Sequence, residues 1–478
     1  MSRIWAILFM AIFIACGVQN TSNNPTTTES KPPNVLFLAI DDLRPELGCY
    51  GVDYMKTPNI DALAAKGILF QNAYVSVPVC GASRASILTG LRPSINRFWD
   101  HNTRADKDVP DQTTLPEHFK NNGYQAYSLG KIFHNTDDSP ESWTSEPWQP
   151  EAFHLSKDYV RPENLKAQME KIGPLYEMVD VPDTAYADGK TAEKAMQLLD
   201  QMKGDDQPFF LAVGLYRPHL PFNPPKKYWD MYPESSVELP NNRYYPKNAT
   251  NNGKHDYGEL RKYKGAPKKP DAVSDDLART LNRGYRASVS YSDALVGKIL
   301  QRLADNGQAD NTIVMLWGDH GFLLGEHDLW CKHVTFDVAS RAPLIIYAPD
   351  TTQKGKAGGL VEFVDIYPTL CDLAGLDHPK NLAGQSLQPF FDNLNHQGKS
   401  HVFTRFKKME TIKTNDFAYT EYVTKAGKIT EKMLYDHQHD KAENVNVVAE
   451  QKYQSIVDSL STLLANNRER VADWRIKD

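Results

Sequence analysis

The run Asn34-Val35-Leu36-Phe37-Leu38-Ala39-Ile40 constrains the fold more than any other stretch of this chain. It is apolar throughout after Asn34. A strand made from it has two faces to bury, as in a parallel sheet covered by helices on both sides. It ends in Asp41-Asp42, and acids at the carboxyl end of such a strand stand where open α/β sheets place their ligands. The design recurs. Tyr124–Leu129 runs into Gly130-Lys131-Ile132-Phe133-His134. Pro208–Leu215 runs into Tyr216-Arg217-Pro218-His219, whose prolines predict a rigid, extended backbone. Asn311–Trp317 runs into Gly318-Asp319-His320-Gly321.

Between these runs, helices are predicted over Thr57–Lys66 with Gly67 as its stop, and over Leu115–Asn122, Ala185–Met202, Asp276–Asn306 and Val364–Ala374. The expected fold is α/β: a large, mostly parallel mixed sheet flanked by helices, with Pro343–Tyr347 as a further strand. Past residue 394 the pattern shortens and alternates (His401–Phe406, Phe417–Val423), then ends in a helix over Gln451–Asn467. This predicts a smaller C-terminal subdomain, 395–478, of antiparallel sheet plus helix beside a catalytic domain over 34–394. The weakly periodic stretches Thr136–Pro182 and Asn223–Asp275 read as excursions over a cleft.

The first residues read as an address rather than as fold. Arg3 precedes an apolar run, Ile4–Ala15, too short to span a bilayer. Phe13-Ile14-Ala15-Cys16 resembles a bacterial lipobox, so residues 1–16 are either a lipoprotein signal lipidated at Cys16 or a plain cleaved signal. Residues 17–33 form a linker. Either way the mature protein is expected to be exported, to a periplasm or cell surface, touching membrane only through an N-terminal lipid. A net charge of −6 gives no reason to expect nucleic acid. Five cysteines without a CxxC pair fit neither a disulfide scaffold nor a zinc knuckle.

One segment gathers reactive groups locally. Tyr74–Val79 is predicted as a strand that turns at Pro78 and Gly81 into a helix starting at Ala82. Cys80 then stands at a helix N-terminus, where backbone N–H groups favour negative charge. Arg84, one turn on, can fold back toward it. Singly, these residues have plainer readings: Cys80 as a small core residue, Asp41 or Asp42 as a helix cap, His219 as a packing residue. Together, five strand ends on one sheet edge would bring Asp41, Asp42, Asp319 and His320 around one hard cation. Oxygen-rich donors favour calcium, with magnesium second, over zinc. Arg84, Lys131, His134, His219 and Lys332 would surround that ion, and so many cationic groups fit a bound anion of concentrated charge.

Cys80-Gly81-Ala82-Ser83-Arg84 followed by Leu88-Thr89-Gly90-x-x-Pro93 resembles the signature of the formylglycine-dependent type I sulfatases, of the alkaline-phosphatase-like superfamily. Asp41-Asp42, Gly130–His134, Arg217-Pro218-His219, Gly318–Gly321, Trp330-Cys331-Lys332 and Tyr419-Thr420-Glu421-Tyr422 match, in order, motifs of its iduronate-2-sulfatase branch, including His320 after the second metal Asp. The resemblance implies that a maturing enzyme oxidises Cys80 to formylglycine (3-oxoalanine). It also implies that Asp41, Asp42, Asp319, His320 and the modified Cys80 hold the metal. A hydroxyl of the hydrated aldehyde would attack sulfur, and C–O cleavage would later free sulfate. Arg84 would anchor the hydrate, and Lys131 and Lys332 would bind sulfate oxygens. His219, with Lys332, would protonate the leaving sugar oxygen, and His134 would accept a proton. The implied partner is a sulfated, uronic-acid-containing polysaccharide or oligosaccharide, either an ulvan-type algal glycan or iduronate 2-sulfate in a glycosaminoglycan.

Ser94–Asp111 departs from the branch pattern, and its Trp99, His101 and Arg104 are candidates for holding the sugar. Two alternatives remain: a phosphate or phosphonate monoester hydrolase using the same aldehyde, and a non-catalytic sulfated-glycan-binding lipoprotein, which would be expected to lack Cys80 or a metal Asp.

Overall fold

Asn34–Ile40 forms strand β1, and its alternate side chains enter two different cores, as burying both faces requires. Val35, Phe37 and Ala39 face one core, where Phe37 packs on Trp317 and Phe210 with ring centroids 5.2 and 5.6 Å apart. Leu36, Leu38 and Ile40 face the other, beneath helices Ala187–Gln201 and Asp275–Asp305. This computed structural model describes residues 31–152, 157–349 and 351–472. The leader, Cys16 and most of the 17–33 linker lie outside the described residues.

The strands that follow are Ile68–Tyr74 (β2), Gln125–Gly130 (β3), Phe209–Leu215 (β4) and Thr312–Gly318 (β5). A short ribbon, Leu323–Leu324 (β6) with Trp330–Cys331 (β7), precedes Leu344–Tyr347 (β8) and Gly355–Glu362 (β9). Apart from the ribbon they make one sheet in the order β3-β4-β1-β5-β8-β2-β9. The pairings β3–β4, β4–β1, β1–β5 and β2–β9 are parallel, and β8 is antiparallel to both neighbours. The expected mixed, mostly parallel sheet is therefore present. Because β5 and β2 both oppose β8, they point the same way. The carboxyl ends of β1 to β5 thus share one edge, with Ile40 level with Leu215 on one side and Gly318 on the other.

A second, antiparallel sheet follows: Val402–Phe406 (β10), Met409–Lys413 (β11), Phe417–Val423 (β12) and Ile429–Asp436 (β13). Helix Gln454–Ala472 covers it, with Val457, Leu460 and Leu464 against Ile412, Tyr419 and Leu434. This is the expected C-terminal sheet and helix.

Two local readings are corrected. The strand before Cys80 stops at Tyr74, and the helix starts at Cys80 rather than Ala82. A tight turn between them, with Val79 N–H donating to the Val77 carbonyl, takes the chain off the sheet. After β3, Lys131 N–H donates to Gly214 O, which extends the sheet by one residue before the chain bends. Beyond β4 the chain turns instead of running extended. His219 N–H donates to Tyr216 O, and the Arg217–Pro218 and Leu220–Pro221 bonds are cis.

The second sheet docks on the first through a buried ion group. Lys413 Nζ, at the end of β11, lies 3.5 Å from Asp337 and 3.6 Å from Glu443. Glu443 also accepts the Asp337 backbone N–H, and Tyr74 O–H donates to Asp337. Removing the cation leaves buried Glu443 with His437 and the partly exposed Asp337 with Arg341 and Tyr74. Lys413→Met is therefore expected to lower the unfolding free energy by about 1–3 kcal/mol. Chemical denaturation with tryptophan fluorescence measures this, and an unchanged midpoint would show that the pairs do not hold the sheets together.

Candidate active site

Three carboxylates and a histidine meet at the shared strand edge. Asp41, Asp42, Asp319 and His320 are fully buried, and one donor atom from each lies within 4.8 Å of the others. Consecutive residues of a strand send side chains to opposite faces. Asp42 avoids this by adopting φ 60° directly after β1, in the left-handed region. Its N–H donates to Asp319 Oδ1 at 3.0 Å, and its carbonyl accepts the Tyr285 hydroxyl at 2.9 Å. Asp41 and Asp42 thereby join one cluster.

The cluster fits a cation. His320 Nδ1 donates to the Gly321 carbonyl at 2.8 Å, so the neutral ring presents its lone pair at Nε2. Nε2 faces Asp42 Oδ1 at 3.3 Å and Asp319 Oδ1 at 3.7 Å. It has no hydrogen-bond partner, and neither has the buried Asp41 Oδ1. Lone pairs aimed at one another in a dry site are stable only with positive charge between them. With protein groups alone, burial pushes Asp42 up to about 7 against the opposing charge of Lys332. Burial alone would also raise Asp41, but Lys131, His219 and Arg84 outweigh it and hold that carboxyl well below the ordinary range. The mainly oxygen donor set matches hard divalent cations.

Cations ring this cluster. Arg84, fully buried, donates from Nε to Asp319 Oδ2 at 2.8 Å and from Nη1 to the Lys131 and Ile132 carbonyls, while its Nη2 has no hydrogen-bond partner. Ser83 Oγ donates to the Asp319 carbonyl, which ties the start of the helix to the end of β5. Lys131 Nζ pairs with Asp41, and Lys332 Nζ donates to both oxygens of Asp42 at 2.8 and 2.9 Å. Cys80, the first residue of its helix, shares a donor group with Asp41 and His320. Gly81 is required beside it, because a Cβ there would meet the His101 carbonyl oxygen at 2.3 Å. That close approach fixes the His101 loop next to Cys80.

Above Cys80 opens a cavity of about 850 Å³. His134, His219, Lys332, Trp99 and His101 line it. Burial and the charge of Lys131 push His134 down to about 3, and its Nδ1 is buried without a partner. Arg104 is a correction. Its guanidinium forks onto Asp106 and also takes Asp137, and it is not among the residues lining the cavity. The sequence reading did not single out Glu259, Lys157 and Lys262 from the excursions, or Lys407 and Lys408 at the β10–β11 turn, all of which line it.

The chain is similar to known proteins over most of its length. The family model described as Sulfatase matches residues 33–376, and one described as N-sulphoglucosamine sulphohydrolase, C-terminal, matches 325–470. Human (Homo sapiens) iduronate 2-sulfatase is 35% identical over 454 residues, covering 85% of this chain and 80% of that protein. A structure solved in complex with its substrate D-glucosamine-2-N,6-O-disulfate superposes with TM-score 0.74 at 23% identity, covering 94% of this chain and 100% of that one. The phosphonate monoester hydrolase of Silicibacter pomeroyi superposes with TM-score 0.73 at 22% identity, covering 92% and 95%. These two structures show the fold alone.

If the acidic cluster holds a divalent cation, that ion stabilises the native state. Calcium added to chelator-stripped protein at 100 times its Kd is expected to contribute about 2.7 kcal/mol, read as a rise in Tm. Asp319→Asn should lose that rise. An equal rise in both proteins, or none in the wild type, would remove the ion from this cluster.

Proposed function

The chain belongs to the sulfatase family and is a sulfuric ester hydrolase, and from that premise we propose that it desulfates a uronic-acid-containing glycan through a formylglycine made from Cys80. The observation that carries the substrate class is the charge of the cavity. Lys157, Lys254, Lys262, Lys332, Lys407 and Lys408 line it against Asp100, Asp256 and Glu259. Burial pushes His255 down to about 4 and His333 to about 3, so these two histidines add nothing to the charge of the lysines. A volume near 850 Å³ admits more than a bare sulfate. A sugar with both a sulfate and a carboxylate suits a deep cationic floor and a basic rim. The sequence similarity to iduronate 2-sulfatase supports the same class, and ulvan-type and glycosaminoglycan uronates both belong to it.

The roles follow from position. Asp41, Asp42, Asp319 and His320 would hold a calcium ion, which when bound lowers the pKa of a nearby hydroxyl and polarises sulfate oxygens. An aldehyde at Cys80 supplies, as its hydrate, a nucleophile with an exit that an ordinary Ser or Cys ester lacks. Arg84 anchors that residue. Lys131 and Lys332, now paired with Asp41 and Asp42, would bind the sulfate oxygens. His219 gives a proton to the leaving sugar oxygen. His134, kept neutral by burial and by Lys131, is in the state that accepts one. Export by the N-terminal segment, with or without lipidation at Cys16, would bring the enzyme to polymeric substrate, and a maturing enzyme would be its protein partner.

Sulfate release measured across heparin, chondroitin, dermatan and ulvan oligosaccharides tests the class. Release from a uronate-2-sulfated member and none from a neutral sulfated sugar is expected, and the reverse would overturn it. At the rim, His101→Ala and Lys408→Ala are expected to reduce kcat/KM on the oligosaccharide about tenfold more than on 4-nitrophenyl sulfate. This corresponds to losing a hydrogen bond to a charged group, about 1.5–3 kcal/mol. Equal losses on both esters would assign these residues to folding or to the sulfate pocket.

A further inference from the structure

Glu259 is a carboxylate in a place meant for an anion. It lines the cavity, and its side chain is only 15% exposed. Like charge beside a bound sulfate opposes binding, so the residue has to offset that cost in another way. Its contacts show how. Oε1 accepts from Lys332 Nζ at 2.9 Å and faces His219 Nε2 at 3.3 Å. Oε2 lies 3.8 Å from His333 Nε2. On the far side of the His219 ring, Nδ1 donates to the Leu220 carbonyl at 2.5 Å. The ring is therefore held between two oxygens, with Nε2 on the cavity side. Lys332 is likewise held between Glu259 and Asp42. Burial alone would raise Glu259, but Lys332 and His219 outweigh it and keep the carboxyl ionised well below its usual range.

We propose that Glu259 is the positioning residue of the leaving-group acid: it fixes the His219 ring so that Nε2–H projects to where the sugar oxygen departs, and it holds Lys332 beside it. The inference rests on the reading that His219 delivers that proton. As the S–O bond to the sugar breaks, its electron pair stays on the sugar oxygen, the Nε2 proton joins it to give the free hydroxyl, and the sulfuryl group passes to the nucleophile. At 3.3 Å the Nε2–H bond to Oε1 is weak, so the same proton can be shared with an incoming oxygen in a bifurcated bond while the ring stays in place.

The test compares two leaving groups. A sugar hydroxyl leaves poorly without a proton, whereas 4-nitrophenolate leaves as an anion. Glu259→Gln keeps size and removes charge. It is expected to lower kcat on the sugar sulfate at least tenfold more than on 4-nitrophenyl sulfate, with KM changing less than threefold. Glu259→Asp, which keeps the charge, should lose less, and it carries the same comparison if Glu259→Gln does not fold. Equal losses on both esters, or none on either, would overturn the proposal. His219→Ala, assayed in parallel, separates the two readings. If it shows the leaving-group dependence and Glu259→Gln does not, only the role of Glu259 falls. If His219→Ala loses equally on both esters, the proton-donor reading falls and this proposal with it.

Discussion

Three carboxylates and three cationic side chains are buried together at one edge of a parallel sheet, and the architecture around them keeps them there. Any one of these charges alone in that interior would cost several kcal/mol. Together they are tolerable because Asp41, Asp42 and Asp319 face Arg84, Lys131 and Lys332. The set still leaves acceptor atoms of Asp41 and His320 without partners, which is the mark of a place for a further cation. Around it, Tyr285 holds the Asp42 carbonyl, Ser83 holds that of Asp319, and the carbonyls of Lys131 and Ile132 hold Arg84. These bonds use backbone acceptors at strand ends, so the sheet itself sets the spacing of the charges.

This dependence explains what could be read from the chain. β1, β4 and β5 are visible because continuous apolar runs leave little choice of structure, and the residues just past them are the ones that converge. Whether separate strand ends share an edge is a question of topology, and the order β3-β4-β1-β5 answers it. Strands β11 and β13 were harder to see. Their Glu410, Lys413 and Glu431 break the apolar alternation, and two of these, Glu410 and Lys413, are buried against partners distant in sequence.

The site shows the same division. Metal-type and cationic residues at strand ends were legible one by one. Glu259 was not, because it lies in a polar excursion with no periodicity and no spacing that links it to His219 or Lys332. Lys407 and Lys408 look like an ordinary hairpin turn until the second sheet is docked. Arg104 was misassigned for a local reason: Asp106, two residues on, claims one face of its guanidinium, and Asp137 takes the rest. A basic residue near a site is available to a ligand only if its own neighbours leave it free. The same fold serves different ester hydrolases, so the chemistry has to be argued from the floor of the cavity and the sugar from its rim.

The proposed function depends on one claim, that Cys80 works as an aldehyde. Peptide mass spectrometry of the active, purified enzyme tests it most directly. The account predicts the aldehyde or its hydrate at Cys80, in a fraction that rises with specific activity across preparations. Full activity from protein carrying only the thiol at Cys80 would contradict it.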